Sequence, residues 1–183
     1  IYKEFTDLSI QNPFILSAVV SLAVVATLNS FMIPKIHVKW PNDIMSGDKK
    51  ICGILIENMF KTSSLHASVI GVGLNVNQNH FENLPIASSM FKISGISYDL
   101  DEVMNCFLKL LNQKLELLNH PQEQIIKTYE ASLYRRNSPS TFESKGRMFT
   151  GIIRGVTPQG LLKVELEDRK MCTYDLKQIK LKN

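Results

Sequence analysis

The sequence is poor in cysteine and lacks the local signatures of several enzyme classes. Its 183 residues include three cysteines, Cys52, Cys106 and Cys172, which are far apart and form no C-x-x-C pair. This odd, scattered set argues against disulfides and zinc, and predicts reduced thiols in a cytosolic protein. A G-x-S-x-G elbow, an HExxH motif and a P-loop are absent, so serine-hydrolase, zinc-protease and kinase-like chemistry lack support. Four histidines are scattered and are interpreted as structural or solvated: His37, His66, His80 and His120.

No hydrophobic run is long enough for a membrane helix. The most apolar stretch, PFILSAVVSLAVVATL at residues 13–28, is shorter than the roughly 20 residues that a membrane span needs. Two serines and a threonine interrupt it, so it predicts a buried helix. The residues before it mix charges of both signs, unlike a secretory signal. The sequence begins at Ile1 within an alternating stretch, which predicts further chain upstream.

The sequence has no excess of positive or negative charge except near the C-terminus. The formal net charge is +4, and residues 139–183 carry nine Lys and Arg against five Asp and Glu, whereas residues 1–138 carry twelve of each. A basic module of this kind could contact nucleic acid or an acidic protein. We interpret it as a solvated surface, with nucleic-acid or protein binding as the alternative.

The first half of the chain contains three strand-like stretches in close succession. Residues 35–40, 50–58 and 66–77 are rich in Ile, Val and Leu, with short connections at 41–49 and 59–65. Short connections favour an antiparallel meander. Nearly continuous apolar interiors indicate that helices cover at least one face of the sheet.

Three helices are predicted around this meander. The first begins at Pro13, residues 78–98 are irregular, the second is capped by Asp99 or Asp101, and the third begins at Pro121. The second helix has an apolar stripe typical of a core-facing helix: Val103, Phe107, Leu110, Leu111 and Leu115.

The pattern changes after Ser138, where the sequence predicts a domain boundary between residues 1–138 and 139–183. Short alternating stretches at 146–156, 160–167 and 170–176 are separated by turn residues. These 45 residues fit a small SH3-like barrel. The predicted fold class is α/β of the α+β type, a mixed and largely antiparallel sheet packed by helices with this barrel at the C-terminus.

The stretch VKWPNDIMSGDKKICGILIEN, residues 38–58, holds the most informative charges. Lys39 and Lys50 lie at the ends of neighbouring predicted strands around the Pro-Asn-Asp turn, so a short connection could bring both ammonium groups to one end of the sheet. Either lysine alone could be a solvated edge charge. Two adjacent cations at a tight turn predict a bound anion.

Glycines open the neighbouring strands. Gly53 interrupts one strand, and Gly71 and Gly73 open one face of the next, with Asn75 at its end. Glycine in a strand is tolerated where a ligand or another backbone approaches closely. GVGLNVN is not a dinucleotide fingerprint, because Val76 stands where G-x-G-x-x-G requires glycine. The pattern predicts a flat surface for a flat apolar ligand with an anionic end.

The ordered set KWPND, KICGILIE and GVGLNVN closely resembles the biotin protein ligase family, the biotin:acetyl-CoA-carboxylase ligases. The resemblance runs over the whole chain. It implies the biotin ligase fold, similar to class II aminoacyl-tRNA synthetases, followed by an SH3-like barrel. It also implies that Lys50 is the catalytic lysine, which touches the biotin carboxylate and the phosphate of biotinyl-adenylate. Further implied contacts are Gly53, Gly71 and Gly73 for biotin, Lys39, Asn42, Asp43 and Asn75 for ATP, and Asp43 and Asn75 for Mg²⁺.

The resemblance implies an ATP-dependent ligase that forms biotinyl-5'-AMP and transfers biotin to a lysine of a biotin carboxyl carrier protein. It further implies a cytoplasmic protein without a membrane segment, for which a homodimer is one assembly. The alternatives are a lipoate ligase, which shares the fold and the lysine chemistry, and a non-catalytic nucleic-acid or protein-binding module. The family's G-R-G-x-x-G loop and biotin-gripping Ser/Thr segment are missing from these residues, as is the DNA-binding domain of some members. We therefore expect them upstream or absent.

Overall fold

The computed structural model describes residues 1–5, 12–61 and 64–182, which form two antiparallel sheets and a set of helices. The first part of the chain contains β1 (Tyr2–Glu4), α1 (Phe14–Ser30), β2 (Ile36–Lys39), β3 (Asp43–Ser46), β4 (Lys49–Lys61), β5 (Ser64–Leu74), α2 (Met90–Ser94), α3 (Leu100–Leu115), a 3₁₀ turn (Glu116–Asn119) and α4 (Gln122–Ala131). The second part contains β6 (Pro139–Ser144), β7 (Arg147–Val156), β8 (Leu162–Leu166), β9 (Met171–Tyr174) and β10 (Lys180–Leu181).

The first sheet has the strand order β1-β5-β4-β3-β2 and confirms the antiparallel meander. One part of that prediction is wrong, because the connection at residues 41–49 contains a strand. Asp43–Ser46 pairs with β2 on one side and with β4 on the other. Its four residues lie between two turns and are too few to show a reliable alternation. Hydrogen bonding to both neighbours makes them a strand.

Helix α1 lies at the centre of the core. It is apolar on every side, as expected of a helix surrounded by other elements, and it packs against the sheet, α3 and α4. Ile15, Leu16 and Val19 are completely buried. In the part of the chain that the structure describes, none of the helices has the length and apolar character needed to cross a membrane.

Helix α3 covers the other side of α1. Asp99 caps it by accepting a hydrogen bond of 2.9 Å from the Glu102 amide. Val103, Leu111 and Leu115 are buried, while the rest of the predicted stripe is half-buried. The segment predicted as irregular contains the short helix α2, capped by Ser89.

The second sheet has the order β10-β6-β7-β8-β9. The sequence predicted β7, β8 and β9, but not β6 and β10. Among the described strands β9 and β10 form the two edges, so the sheet is open rather than closed into a barrel. Stacked rings of Phe142, Phe149 and Tyr174 lie along the sheet.

The loop after β7 packs the second sheet against α1. Gly160 has φ +88°, and a Cβ there would overlap the ring of Phe14. Gly146, in the β6–β7 turn, also has a positive φ of +75°, but has open space around its Cα. A side chain at either position would be strained by the positive φ, but only a side chain at Gly160 would also clash with a neighbour.

We expect Gly160→Ala to lower the free energy of unfolding by about 3 kcal/mol, because overpacking adds to the strain of a left-handed backbone. Gly146→Ala should lower it by only about 1 kcal/mol, the strain alone. Urea unfolding of both variants measures the difference. Equal losses would show that the loop can move away from Phe14.

Candidate functional site

Four of the predicted site residues form one row across the first sheet. Lys39 lies opposite Asp43, Asp43 opposite Gly53, and Gly53 opposite Gly73. Residues directly opposite each other in antiparallel strands project their side chains from the same face. The register therefore places a cation, a carboxylate and two positions without side chains side by side.

Lys50 joins this row through an ion pair. Its Nζ lies 2.5 Å from Oδ1 of Asp43, and the two side chains are 38% and 29% exposed. A Cβ built on Gly53 would lie 3.5 Å from the Lys50 Nζ and 3.8 Å from Asp43 Oδ1. The ammonium group thus stands over Gly53, at the boundary between the glycines and the charged residues.

A β-bulge brings Lys50 to this face. Met45 pairs with Lys50 and Ile44 pairs with Cys52, so Ile51 is an extra residue on β4. A bulge shifts the alternation of side chains along its strand. Ile51 and Cys52 are accordingly both buried, and Lys50 reaches the face of Gly53 although three positions separate them.

The adjacent lysine points elsewhere. Lys49 Nζ donates a hydrogen bond of 2.9 Å to the carbonyl of Pro85 on the protein surface. The predicted separation of Lys49 and Lys50 by strand alternation is thus seen in their contacts.

Gly71 and Gly73 continue the surface along β5, and both are exposed. Gly71 lies opposite Leu55, and a Cβ there would lie 3.4 Å from the Leu55 carbonyl oxygen. A Cβ on Gly73 would lie 3.7 Å from the Gly53 carbonyl oxygen. With no side chains at these positions, bare backbone is available to a flat ligand.

Asn42 and Asn75 both use their side-chain amides to hold backbone. Asn42 Nδ2 donates to the Ile54 carbonyl at 2.7 Å, and Asn75 Nδ2 donates to the Ser88 carbonyl at 2.9 Å. The Ser88 amide in turn donates to the Lys50 carbonyl at 2.9 Å. The side chain of Asn75 thereby helps to fix a segment that runs beside Lys50.

This segment was not predicted as part of the site. Residues 84–88 read as irregular in the sequence, yet the Lys50 amide donates to the Ile86 carbonyl at 2.8 Å. Lys50 and Ala87 form an isolated parallel bridge. Only the tertiary contacts identify this support, since neither an apolar period nor a turn motif marks it.

The Trp40–Pro41 turn is anchored by two other parts of the chain. Trp40 Nε1 donates to the Gly160 carbonyl at 2.8 Å, and the Tyr129 hydroxyl donates to the Pro41 carbonyl at 3.1 Å. Tyr129 is completely buried. Buried Trp and Tyr side chains usually find acceptors for their N–H and O–H groups, and here both acceptors are backbone carbonyls far away in the sequence.

The positive charges around the row favour the binding of an anion. Burial lowers the pKa of Lys39, as do the positive charges of Arg135, Lys50 and Lys180, while Asp43 opposes the change. Burial also raises the pKa of the Cys52 thiol to about 12, so this thiol is protonated at neutral pH. The site therefore offers cations and open backbone rather than a thiolate nucleophile.

The described residues contain no cluster of three or more His, Cys, Asp or Glu that could bind a metal ion. The carboxylate of Asp43 is already paired with Lys50. What the geometry can do is hold a flat acid on the glycines and neutralise negative charge that develops at its end.

Sequence comparisons identify relatives of this chain. The model of the biotin/lipoate A/B protein ligase family matches residues 5–75. The bifunctional ligase/repressor BirA of Escherichia coli is 29% identical over 155 residues, which cover 82% of this chain and 48% of that protein. The biotin--[acetyl-CoA-carboxylase] ligase of Mycobacterium tuberculosis is 29% identical over 167 residues, covering 89% and 61%. The chain thus spans about half the length of the curated relatives it matches.

Solved structures share the fold. The apo biotin protein ligase of Aquifex aeolicus superposes with a TM-score of 0.79 at 22% identity, over 99% of this chain and 80% of that one. The same enzyme in complex with biotin and ATP gives 0.78 at 21% identity, over 99% and 76%. By sequence, the chain is similar to the biotin/lipoate A/B protein ligase family over residues 5–75 and to curated biotin ligases, and it shares the fold of solved biotin protein ligases.

Proposed function

We propose that this chain provides the catalytic surface of an ATP-dependent ligase that activates biotin as biotinyl-5'-AMP and transfers it to a lysine of a biotin carboxyl carrier protein. The observation that carries the proposal is the Lys50–Asp43 pair standing over Gly53. It joins a cation for the reacting groups to a surface that can hold the acid. Relatives named as biotin ligases support the choice of substrate.

The first step joins two bound substrates. A biotin carboxylate oxygen attacks the α-phosphorus of ATP, the bond from that phosphorus to the bridging oxygen breaks, and pyrophosphate leaves with the electron pair. Lys50 neutralises charge on the carboxylate and the α-phosphate, while the sheet aligns the reactants. In the second step the acceptor amine attacks the acyl carbon, and AMP leaves. No nucleophile of the chain is required, which agrees with a protonated Cys52.

Each predicted site residue has a role in this scheme. Gly53, Gly71 and Gly73 hold biotin by leaving room for it, and Lys39 and Asp43 face the nucleotide. Asn42 and Asn75 bind the nucleotide with the oxygens of their amides, since each amide nitrogen donates to backbone.

Magnesium fits this site only together with the nucleotide. Mg²⁺ in proteins is usually held by one or two carboxylates and by substrate phosphates. Asp43 supplies one carboxylate and Asn75 one amide oxygen. The described residues contain no larger acidic cluster that could hold the ion without the nucleotide. We therefore propose that magnesium enters with ATP and neutralises its phosphates there.

The remaining proposals concern organisation. We propose a boundary between residues 138 and 139, with residues 139–183 as a separate SH3-like unit built on the second sheet, whose barrel is left open between β9 and β10. We also propose a cytoplasmic location and a homodimer. The three cysteines, all free in the structure, support a reducing compartment.

The test of function separates biotin from lipoate, because the family includes ligases for both. The protein is incubated with ATP, a carrier domain and either labelled biotin or labelled lipoate. We expect label on the carrier with biotin only, together with biotin-dependent pyrophosphate release. Transfer of lipoate alone would overturn the proposal in favour of a lipoate ligase.

A further inference from the structure

A short segment between α4 and β6 contacts the strands on both sides of the lysine row. This connecting segment, residues 132–136, runs beside β2, the outer strand of the first sheet. The Val38 amide donates to the Ser132 carbonyl at 2.8 Å, and the Tyr134 amide donates to the Val38 carbonyl at 2.9 Å. The connecting segment is thus fixed to the strand that ends at Lys39.

The side chain of Tyr134 reaches the hairpin that carries Lys50. Its hydroxyl donates a hydrogen bond to Oδ1 of Asp48, which lies in the turn between β3 and β4, two residues before Lys50. Tyr134 is only 6% exposed, and a buried tyrosine usually finds an acceptor for its hydroxyl. The bond therefore ties this turn to a side chain embedded in another part of the fold.

The neighbouring Arg135 adds little to the contact. Its guanidinium lies 5.3 Å from the centre of the Tyr134 ring and 3.9 Å from Asp48 Oδ1, which is too far for a hydrogen bond. The Asp48 side chain is 78% exposed, and ion pairs to exposed groups contribute little. The hydroxyl of Tyr134, rather than the charge of Arg135, is therefore what restrains the turn.

The position of this turn decides which lysine faces the glycines. Lys50 stands over Gly53 because of the bulge at Ile51, and a one-residue change of register would exchange the two faces of the strand. The bulge lies three residues after Asp48, and the partner strand β3 has only four residues. Few ladder hydrogen bonds hold it, so a contact from outside the hairpin also fixes the direction of Lys50.

We propose that Tyr134 is a positioning residue for Lys50, an inference that rests on the proposed function. Its hydroxyl holds Asp48 and thereby keeps the Lys50 ammonium where negative charge develops during adenylate formation. Because the same segment is bonded to β2, it fixes the strands of Lys39 and Lys50 relative to each other. A catalytic group that is misplaced by about 1 Å can lose as much as about 100-fold in rate, so one restraint can be visible in turnover.

The experiment measures biotin-dependent pyrophosphate release by Tyr134→Phe and Asp48→Ala at saturating ATP. Phenylalanine keeps the buried ring and removes only the hydroxyl. We expect kcat to fall about three- to tenfold in each variant, the scale of one hydrogen bond, with KM for biotin changed by less than about twofold. The glycines that hold biotin are untouched. The double variant should lose no more than either single variant, since both remove the same contact.

Two further variants make the test specific. Asp48→Asn keeps an acceptor oxygen and should retain most of the wild-type kcat. Tyr98→Phe is the matched control, because it removes the hydroxyl of a half-buried tyrosine whose ring packs against Phe31. It should behave like the wild type. Wild-type kcat in Tyr134→Phe, losses that multiply in the double variant, or an equal loss in Tyr98→Phe would overturn the proposal.

Hydrogen exchange of residues 44–53 measures the restraint without any activity. These amides should exchange about three- to tenfold faster in Tyr134→Phe than in the wild type, since one hydrogen bond no longer holds the hairpin. Urea unfolding shows whether the variant folds. A lower urea midpoint with unchanged kcat per folded molecule would show that the hydroxyl stabilises the fold without positioning Lys50, and would overturn the proposal.

The positioning role and the ligase function fail separately. Faster exchange in Tyr134→Phe, without biotin-dependent pyrophosphate release by the wild type, would contradict the ligase function and leave the restraint on the hairpin in place. Pyrophosphate release by the wild type, with unchanged exchange and unchanged kcat in Tyr134→Phe, would uphold the function and overturn the positioning role.

Discussion

Lys50→Ala is expected to lower biotin-dependent pyrophosphate release by about 10²–10³-fold, the usual effect of removing one preorganised donor from a developing charge. The structure gives this lysine a defined place, 2.5 Å from Asp43 and over Gly53. The ion pair is partly exposed, so its loss should change the free energy of unfolding by less than about 1 kcal/mol. The large effect on turnover should therefore appear in a folded protein.

Lys49→Ala is the matched control for this prediction. Lys49 is adjacent in sequence and has the same charge, but it bonds the Pro85 carbonyl outside the row. Its removal should leave pyrophosphate release within a few-fold of wild type. A larger loss in Lys49→Ala, or equal activities of the two variants, would show that the catalytic lysine or the strand register is wrongly assigned.

Gly53→Val is expected to weaken biotin binding by roughly tenfold to 100-fold, because the branched side chain would occupy the space above the strand. The protein itself should tolerate the change. A Cβ at this position has ordinary contacts, 3.5 Å or more from its neighbours, and valine favours strands. Titration with biotin measures the affinity, and urea unfolding measures the stability.

Gly53→Ala provides a size series for the same position. It should weaken biotin binding less than valine does, because it adds one methyl group. If Gly53→Val instead unfolds while the affinity per folded molecule stays normal, the glycine is needed for packing and does not face biotin.

Much of this fold is encoded in local patterns. The apolar run at residues 13–28 predicted α1, the spaced apolar residues after Asp99 predicted α3, and Ile- and Val-rich stretches predicted β4 and β5. Each signal is strong because burial of a face or of a whole element requires apolar residues at regular positions. β3 and β10 were missed because they are short, and β6 because it begins at Pro139 within a run of turn residues; pairing with neighbouring strands defines all three.

The sequence alone determined which residue types gather near the site, since the lysines, the Pro-Asn-Asp turn and the glycines are close together along residues 39–73. Only the tertiary structure decided which of them share a face. Strict alternation from Lys49 would have placed that lysine with Gly53 and turned Lys50 away. The bulge at Ile51 shifts the phase by one residue and puts Lys50 over Gly53. A bulge is fixed by hydrogen bonds to the partner strand, which a single strand's sequence does not contain.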